Sequence, residues 1–157
     1  MGTAPTRLIE GASRAEAPFE QFEQVKVTVR TPDGKVRTPC MLLARTSEAR
    51  AEGLRHVASP ALHGYAGMAF AFDVDVDGSF TMADTLIPLT IAFADSSGRV
   101  QTTRAMTPCP AGGSACLYAS PRPYRTAVEV PTGHAASLGL EPGATVEVGG
   151  ACHSPSA

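Results

Sequence analysis

A chain of 157 residues with 43% hydrophobic and 18% charged side chains has the length and apolar content of one domain with a sizeable core. The formal charge is -2, the arginines are scattered, and Lys26 and Lys35 are the only lysines. This argues against nucleic-acid binding, which needs clustered cations. No apolar run approaches a membrane span and no charged-then-apolar leader opens the chain, so a cytoplasmic protein without a membrane role is expected.

Residues 1–21 lack sustained periodicity and read as a flexible arm, residues 22–149 as the domain, and residues 150–157 as a loose tail. Val25, Val27 and Val29 alternate with Lys26, Thr28 and Arg30, the pattern of a half-buried strand. Thr31-Pro32-Asp33-Gly34 is a turn, and Lys35 to Leu43 should return as the second arm of a hairpin, with Pro39 marking an edge or bulge. Thr46 or Ser47 caps a short helix that Gly53 ends. Ser59-Pro60 suggests a further helical turn, and Met68 to Phe72 a buried strand.

Phe80 to Ala94 and Arg99 to Met106 read as a hairpin around Asp95-Ser96-Ser97-Gly98. Asp84 and Pro88 break strand rules inside its first arm, which marks the segment as a place to look for function. Residues 107–123 form a Pro/Gly-rich loop, and Tyr124 to Val130 a strand apolar on both faces. Thr132 should cap a short helix through Leu138, and Thr145 to Val148 is the last strand. About six to eight short strands with two or three short helices indicate a mostly β (α+β) domain, barrel-like or sandwich-like.

Four blocks resemble the bacterial and archaeal family known as domain of unknown function 192. They are Arg50-Ala-Glu-Gly-Leu54, then Gly67-Met68-Ala69-Phe70-Ala71-Phe72, then Phe80-Thr-Met-Ala-Asp-Thr-Leu-Ile-Pro-Leu89 with the Asp95–Gly98 turn, and finally Pro108-Cys109 to Tyr118 with Glu129-Val130-Pro-Thr-Gly133. The resemblance implies a compact β-rich domain and brings no established activity. The chain departs from the family pattern at Thr81, Ala83 and Asp84, where tryptophan, lysine and asparagine are usual, at Arg55, usually methionine, and at Pro131-Thr132.

Asp84, among apolar Met82, Leu86 and Ile87, is the leading candidate for general acid–base chemistry, with His56 and His134 as further candidates. Arg50 and Glu129 either pair, tying helix to sheet, or face a ligand; the pairing is the better expectation. Arg50, Thr85, Met68 and Glu129 are the candidate ligand-binding residues, although methionines here also suit core filling. Asp73-Val-Asp-Val-Asp-Gly78 resembles half of a calcium loop, but the flanks read as strands, so an acidic hairpin tip is preferred.

Cys109 and Cys116 are either separate thiols or a local disulfide worth about 2–3 kcal/mol, while Cys40 and Cys152 have no assigned partner. No metal and no cofactor are expected. The resulting expectation is a small soluble binding domain for a small apolar or polar metabolite, with a cleft near Asp84, Thr85, Arg50 and His56. The alternatives are a tailoring enzyme of cyclase, isomerase or hydrolase type using Asp84, and a protein that associates through exposed strand edges.

Overall fold

The structure, a computed structural model, describes residues 9–109 and 116–152; residues 1–8, 110–115 and 153–157 lie outside the described residues. The valine alternation forms the strand on which the rest is built. Short β1 (Ser13–Arg14) pairs antiparallel with β2 (Glu23–Arg30), and after the turn β3 (Val36–Arg37) and β4 (Cys40–Ala44) return along β2. Gly34 takes φ +91°, the left-handed geometry that Asp33-Gly34 favours. The returning arm is split beside Pro39, which has no N–H to give a ladder.

Helix α1 (Ser47–Glu52) is capped at Thr46, whose hydroxyl accepts from the Ala49 amide at 3.1 Å, and it ends at Gly53 with φ +49°. A 3-10 turn (Leu62–Gly64) leads to β5 (Met68–Val76), which lies parallel to β4. The remaining elements are β6 (Phe80–Thr81), β7 (Leu89–Ala94), β8 (Val100–Met106), β9 (Leu117–Tyr118), β10 (Tyr124–Pro131), α2 (Ala135–Leu138) and β11 (Thr145–Val148). The main sheet runs β1-β2-β4-β5-β10-β7-β8 with β3 and β11 also on β2, while β6 and β9 form a separate pair.

The domain is therefore mostly β with two short helices, and its sheet is not closed into a barrel. Strand β11 reaches the β7–β8 turn only through a few backbone bonds, among them Val100 N–H to Ala144 O at 2.8 Å and Val146 N–H to Gly98 O at 2.7 Å. The two-residue strands β1, β3, β6 and β9 account for the larger strand number; each is paired by tertiary context that local alternation does not carry.

Alternation along each central strand feeds two apolar clusters on opposite faces of the sheet. Leu42, Met68, Phe70, Leu89, Ile91, Phe93 and Ala127 fill one face; Met41, Leu43, Ala69, Ala92, Val128 and Val130 fill the other with the β2 valines. Central strand β10, paired with β5 and β7, gives Ala127 to one cluster and Val128 and Val130 to the other, so it is buried on both faces.

Four local expectations change. The first arm of the hairpin is not one strand: Asp84 takes φ +61°, Thr85 N–H bonds Met82 O at 3.1 Å, and the chain turns between β6 and β7. Asp84 and Pro88 thus sit in a turn and at a strand entry, where neither violates a strand preference. Thr132 does not cap α2; His134 occupies that position without a side-chain bond. The described part of the N-terminal arm docks on the domain, with β1 on β2 and Phe19 only 4% exposed against the edge of Tyr65. The tail is fastened as well, because Cys40 and Cys152 form a disulfide, as do Cys109 and Cys116.

Candidate functional site

The face of the sheet that carries Met68 and Phe70 also carries Glu129, in register with Met68 across β5 and with Ile91 across β7. A carboxyl in the middle of a central strand, with apolar neighbours on both sides, leaves water when the sheet assembles. Glu129 is 4% exposed, and burial pushes its pKa from 4.5 up to about 8, so the carboxyl is protonated at neutral pH. Among the described residues it has no hydrogen bond or ion pair. Every fully enclosed side-chain nitrogen or oxygen described does have a hydrogen-bond partner, so the Glu129 oxygens retain a trace of access.

That access opens on a cleft of about 660 Å³. Its walls are Phe70, Phe72, Phe80 and Tyr124, and the end of α1 with Gly53 and Leu54 closes one side. Phe70 and Phe80 meet edge to face at 4.9 Å between centroids, and Phe80 lies 6.0 Å from Tyr124. The Tyr124 hydroxyl donates to Gly78 O at 2.6 Å, and burial, with the charge of Asp77 behind it, pushes this phenol up to about 12. Thr85, buried at 6% exposure, also lines the cleft, and its hydroxyl has no bond to a described residue.

The candidates named from sequence divide cleanly. Arg50, Thr85 and Glu129 line this one cleft. Arg50 does not pair with Glu129: its guanidinium donates to Arg45 O at 2.7 Å and Ala71 O at 3.1 Å, and stacks 4.6 Å above Phe72. Those bonds hold the helix end to β5, which is the tie expected of the pair, made by other atoms. Met68 is fully buried beneath the sheet face and does not reach the cleft.

Asp84 does not line the cleft. It lies beside Thr85 on the outer surface, its side chain 60% exposed and 3.8 Å from the Arg55 guanidinium. The turn that lets Thr85 point inward leaves Asp84 outside. His56 meets it only through the backbone, its N–H bonding Asp84 O at 2.9 Å, and His134 sits at α2, away from both. No acid–base pair forms from Asp84 and a histidine. The Asp73–Gly78 segment continues β5, with Asp75 held by Arg125 at 2.9 Å, and no described cluster of His, Cys, Asp and Glu could hold a metal.

A second depression of about 710 Å³, lined by Arg45, Asp73, Asp95, Arg125 and Glu147, is polar, and Arg45, Asp95 and Arg125 are engaged within the protein. Arg45 binds Glu23 at 2.6 Å, and the Ser97 hydroxyl, with the Ser97 and Arg99 amides, holds Asp95 below the usual carboxylate range. The aromatic cleft is the opposite case, with buried polar groups that the protein leaves open.

Fold and cleft define a small mostly β domain with one ligand-sized aromatic cavity floored by a buried carboxyl. The profile of domain of unknown function 192, described as "Uncharacterized ACR", matches residues 28–148. The chain belongs to this family. Among known structures it is similar to a Novosphingobium aromaticivorans protein of unknown function, with 31% identity over 94% of this chain and 99% of that one and a TM-score of 0.71. It is also similar to a Sinorhizobium meliloti protein described as a candidate transcription regulator, with 24% identity over 81% of this chain and 95% of that one and a TM-score of 0.68. No curated protein matches the sequence.

Proposed function

We propose that this domain binds a small molecule in the aromatic cleft, the apolar body of the ligand against Phe70, Phe80 and Tyr124 and its polar head at Glu129 and Thr85. The observation that carries this reading is the Glu129 carboxyl, buried, without a described hydrogen-bond partner, and lining the cleft. Burying such a group without a partner costs stability, and a ligand that supplies the partner recovers it. A cavity of this size, apolar with a few converging polar groups and a perturbed carboxyl, has the makeup of a ligand site. Asp84 has no part in this proposal, and binding does not require the tailoring chemistry at Asp84 that is the alternative reading of the sequence.

The test is an amide NMR screen of a fragment library. Binders should shift Gly53, Thr81, Thr85 and Glu129, and Glu129→Gln or Thr85→Val should weaken the same binders. Shifts confined to the Arg45–Asp95 depression, or binders indifferent to both substitutions, would refute the reading.

The two disulfides favour an oxidising compartment over the cytoplasm expected from composition. Among the described residues no helix is long and apolar enough to cross a membrane. Alkylation of protein isolated without reductant should find no reactive thiol; four reactive thiols would restore the cytoplasmic assignment.

A further inference from the structure

Several features of the cleft bear on the charge of what it takes. The Phe72 face already holds the Arg50 guanidinium at 4.6 Å, so these rings stabilise a cation where water is scarce. The rings of Phe70, Phe80 and Tyr124, deeper in, carry no such occupant among the described contacts. The charged groups around the cleft are Arg50 and Glu52 on α1, Arg55 after it, Asp75 on β5 and Asp77 beyond it, with the Tyr124 phenol and Glu129 on β10. Asp75 is engaged by Arg125 and Arg55 leans on Asp84, whereas Asp77 has no ion pair among the described residues.

Arg50 and Arg55 are the lining groups that would repel a cation; Arg55 lies 3.8 Å from the Asp84 carboxylate, which offsets its charge, and Arg50 has no ion pair among the described residues. Its anchor, Ala71, is three positions along β5 from Met68, the register partner of Glu129, hence about 10 Å away at ~3.3 Å per residue. A cation in contact with an ionised Glu129 at ~4 Å would gain more than it loses to a guanidinium anchored that far along the strand, at the same dielectric. Attraction wins at the floor of the cleft.

Resting on the binding function proposed above, we infer that the ligand is an organic cation, a primary or methylated ammonium group on an apolar body, seated with the ammonium against Glu129 and the body against Phe70, Phe80 and Tyr124. Binding is then an exchange. The carboxyl releases its proton to solvent as the ammonium arrives, so the neutral acid becomes a carboxylate–ammonium pair and the buried site carries no net charge before or after. Thr85 accepts or donates to whatever polar atom flanks the cation.

Benzyltrimethylammonium is the decisive probe because its charge does not titrate; benzyl alcohol is the uncharged comparison. Affinity for the cation should rise roughly 100-fold between pH 6 and pH 9, as the share of protein able to ionise Glu129 rises. Calorimetry of wild type in two buffers of different ionisation enthalpy should show about one proton released per cation bound at pH 7. Glu129→Gln, checked for a native amide spectrum, should lose the pH dependence and bind the cation no better than the alcohol. Benzyl alcohol affinity should be flat or fall with pH.

A cation affinity that is flat or falling with pH, no proton release, or no binding at tens of millimolar would overturn the inference. If benzyl alcohol still shifts Gly53, Thr81 and Thr85 in that case, the cleft remains a binding site for an uncharged ligand. If neither probe touches those residues, the binding function itself falls.

Discussion

Replacing Glu129 by glutamine should abolish most of the dependence of stability on pH above pH 5. Burial raises the Glu129 pKa from 4.5 to about 8 in the folded protein. The folded state then binds more protons than the unfolded state between those limits, so stability is full below the lower value and is lost as pH rises through the interval. At ~1.4 kcal/mol per unit, the loss attributable to this one group is about 1 kcal/mol at pH 5, about 3 at pH 7 and about 5 at pH 9. Glutamine keeps the shape and the polar head but cannot ionise. Urea unfolding of both proteins at pH 5, 7 and 9 should therefore show the variant gaining on wild type by about 4 kcal/mol across the range, an order-of-magnitude figure. Arg50, Glu52, Arg55, Asp75, Asp77 and Tyr124 also surround the cleft, but they are common to both proteins and cancel in the comparison. Parallel pH profiles for the two proteins would refute the claim that Glu129 is buried and neutral.

Other outcomes follow from particular contacts. Asp84→Asn should change unfolding free energy by less than about 0.5 kcal/mol and leave cleft binding intact, since the exposed Arg55 contact contributes little and asparagine accepts positive φ; lost binding would return Asp84 to the site. Gly67→Ala should cost about 1–3 kcal/mol in urea unfolding, because its Cβ would run into the Glu129 carbonyl and the Val130 side chain; a neutral effect would contradict the close packing of β5 and β10. Thr46→Ala should cost about 1 kcal/mol through loss of the α1 cap, read by thermal unfolding. The double change Cys40→Ser and Cys152→Ser should cost roughly 3–5 kcal/mol, because the bond closes a loop of sequence separation 112; equal midpoints would show that the bond is absent.

Much of this architecture is legible along the chain wherever the cause is local. The valine alternation of β2, the Thr46 cap, Gly53 at the helix end and the strand Thr145–Val148 each depend on a few neighbouring residues. What was not legible depends on long-range partners. Phe80 to Ala94 has the apolar content of one strand, but the turn at Asp84 follows from pairing of β6 with β9 and of β7 with β10. Cys40 finds Cys152 because β4 and β11, which precedes Cys152, both pair with β2.

The site shows the same division. Arg50, Thr85 and Glu129 could be named from residue type and family pattern, but the cleft that joins them is made by α1, β5, β10 and the turn after β6 together. Asp84 attracted notice because it broke a strand rule, and the turn explains that break without a ligand. The better signal was quieter: a glutamate inside Ala127-Val128-Glu129-Val130, a strand apolar on both faces, where a carboxyl is taken largely out of water. The aromatic walls gave only a short periodic signal, Phe70 and Phe72 at alternate positions of β5, while Phe80 and Tyr124 join them from β6 and β10.

The claim on which the rest depends is that the Glu129 carboxyl stands buried and protonated at the floor of the cleft. Glutamate labelled with 13C at Cδ, with Glu129→Gln supplying the assignment, allows that carboxyl to be titrated directly by NMR. The account predicts a midpoint near 8 for Glu129. A midpoint in the ordinary glutamate range, about 4–5, would contradict it.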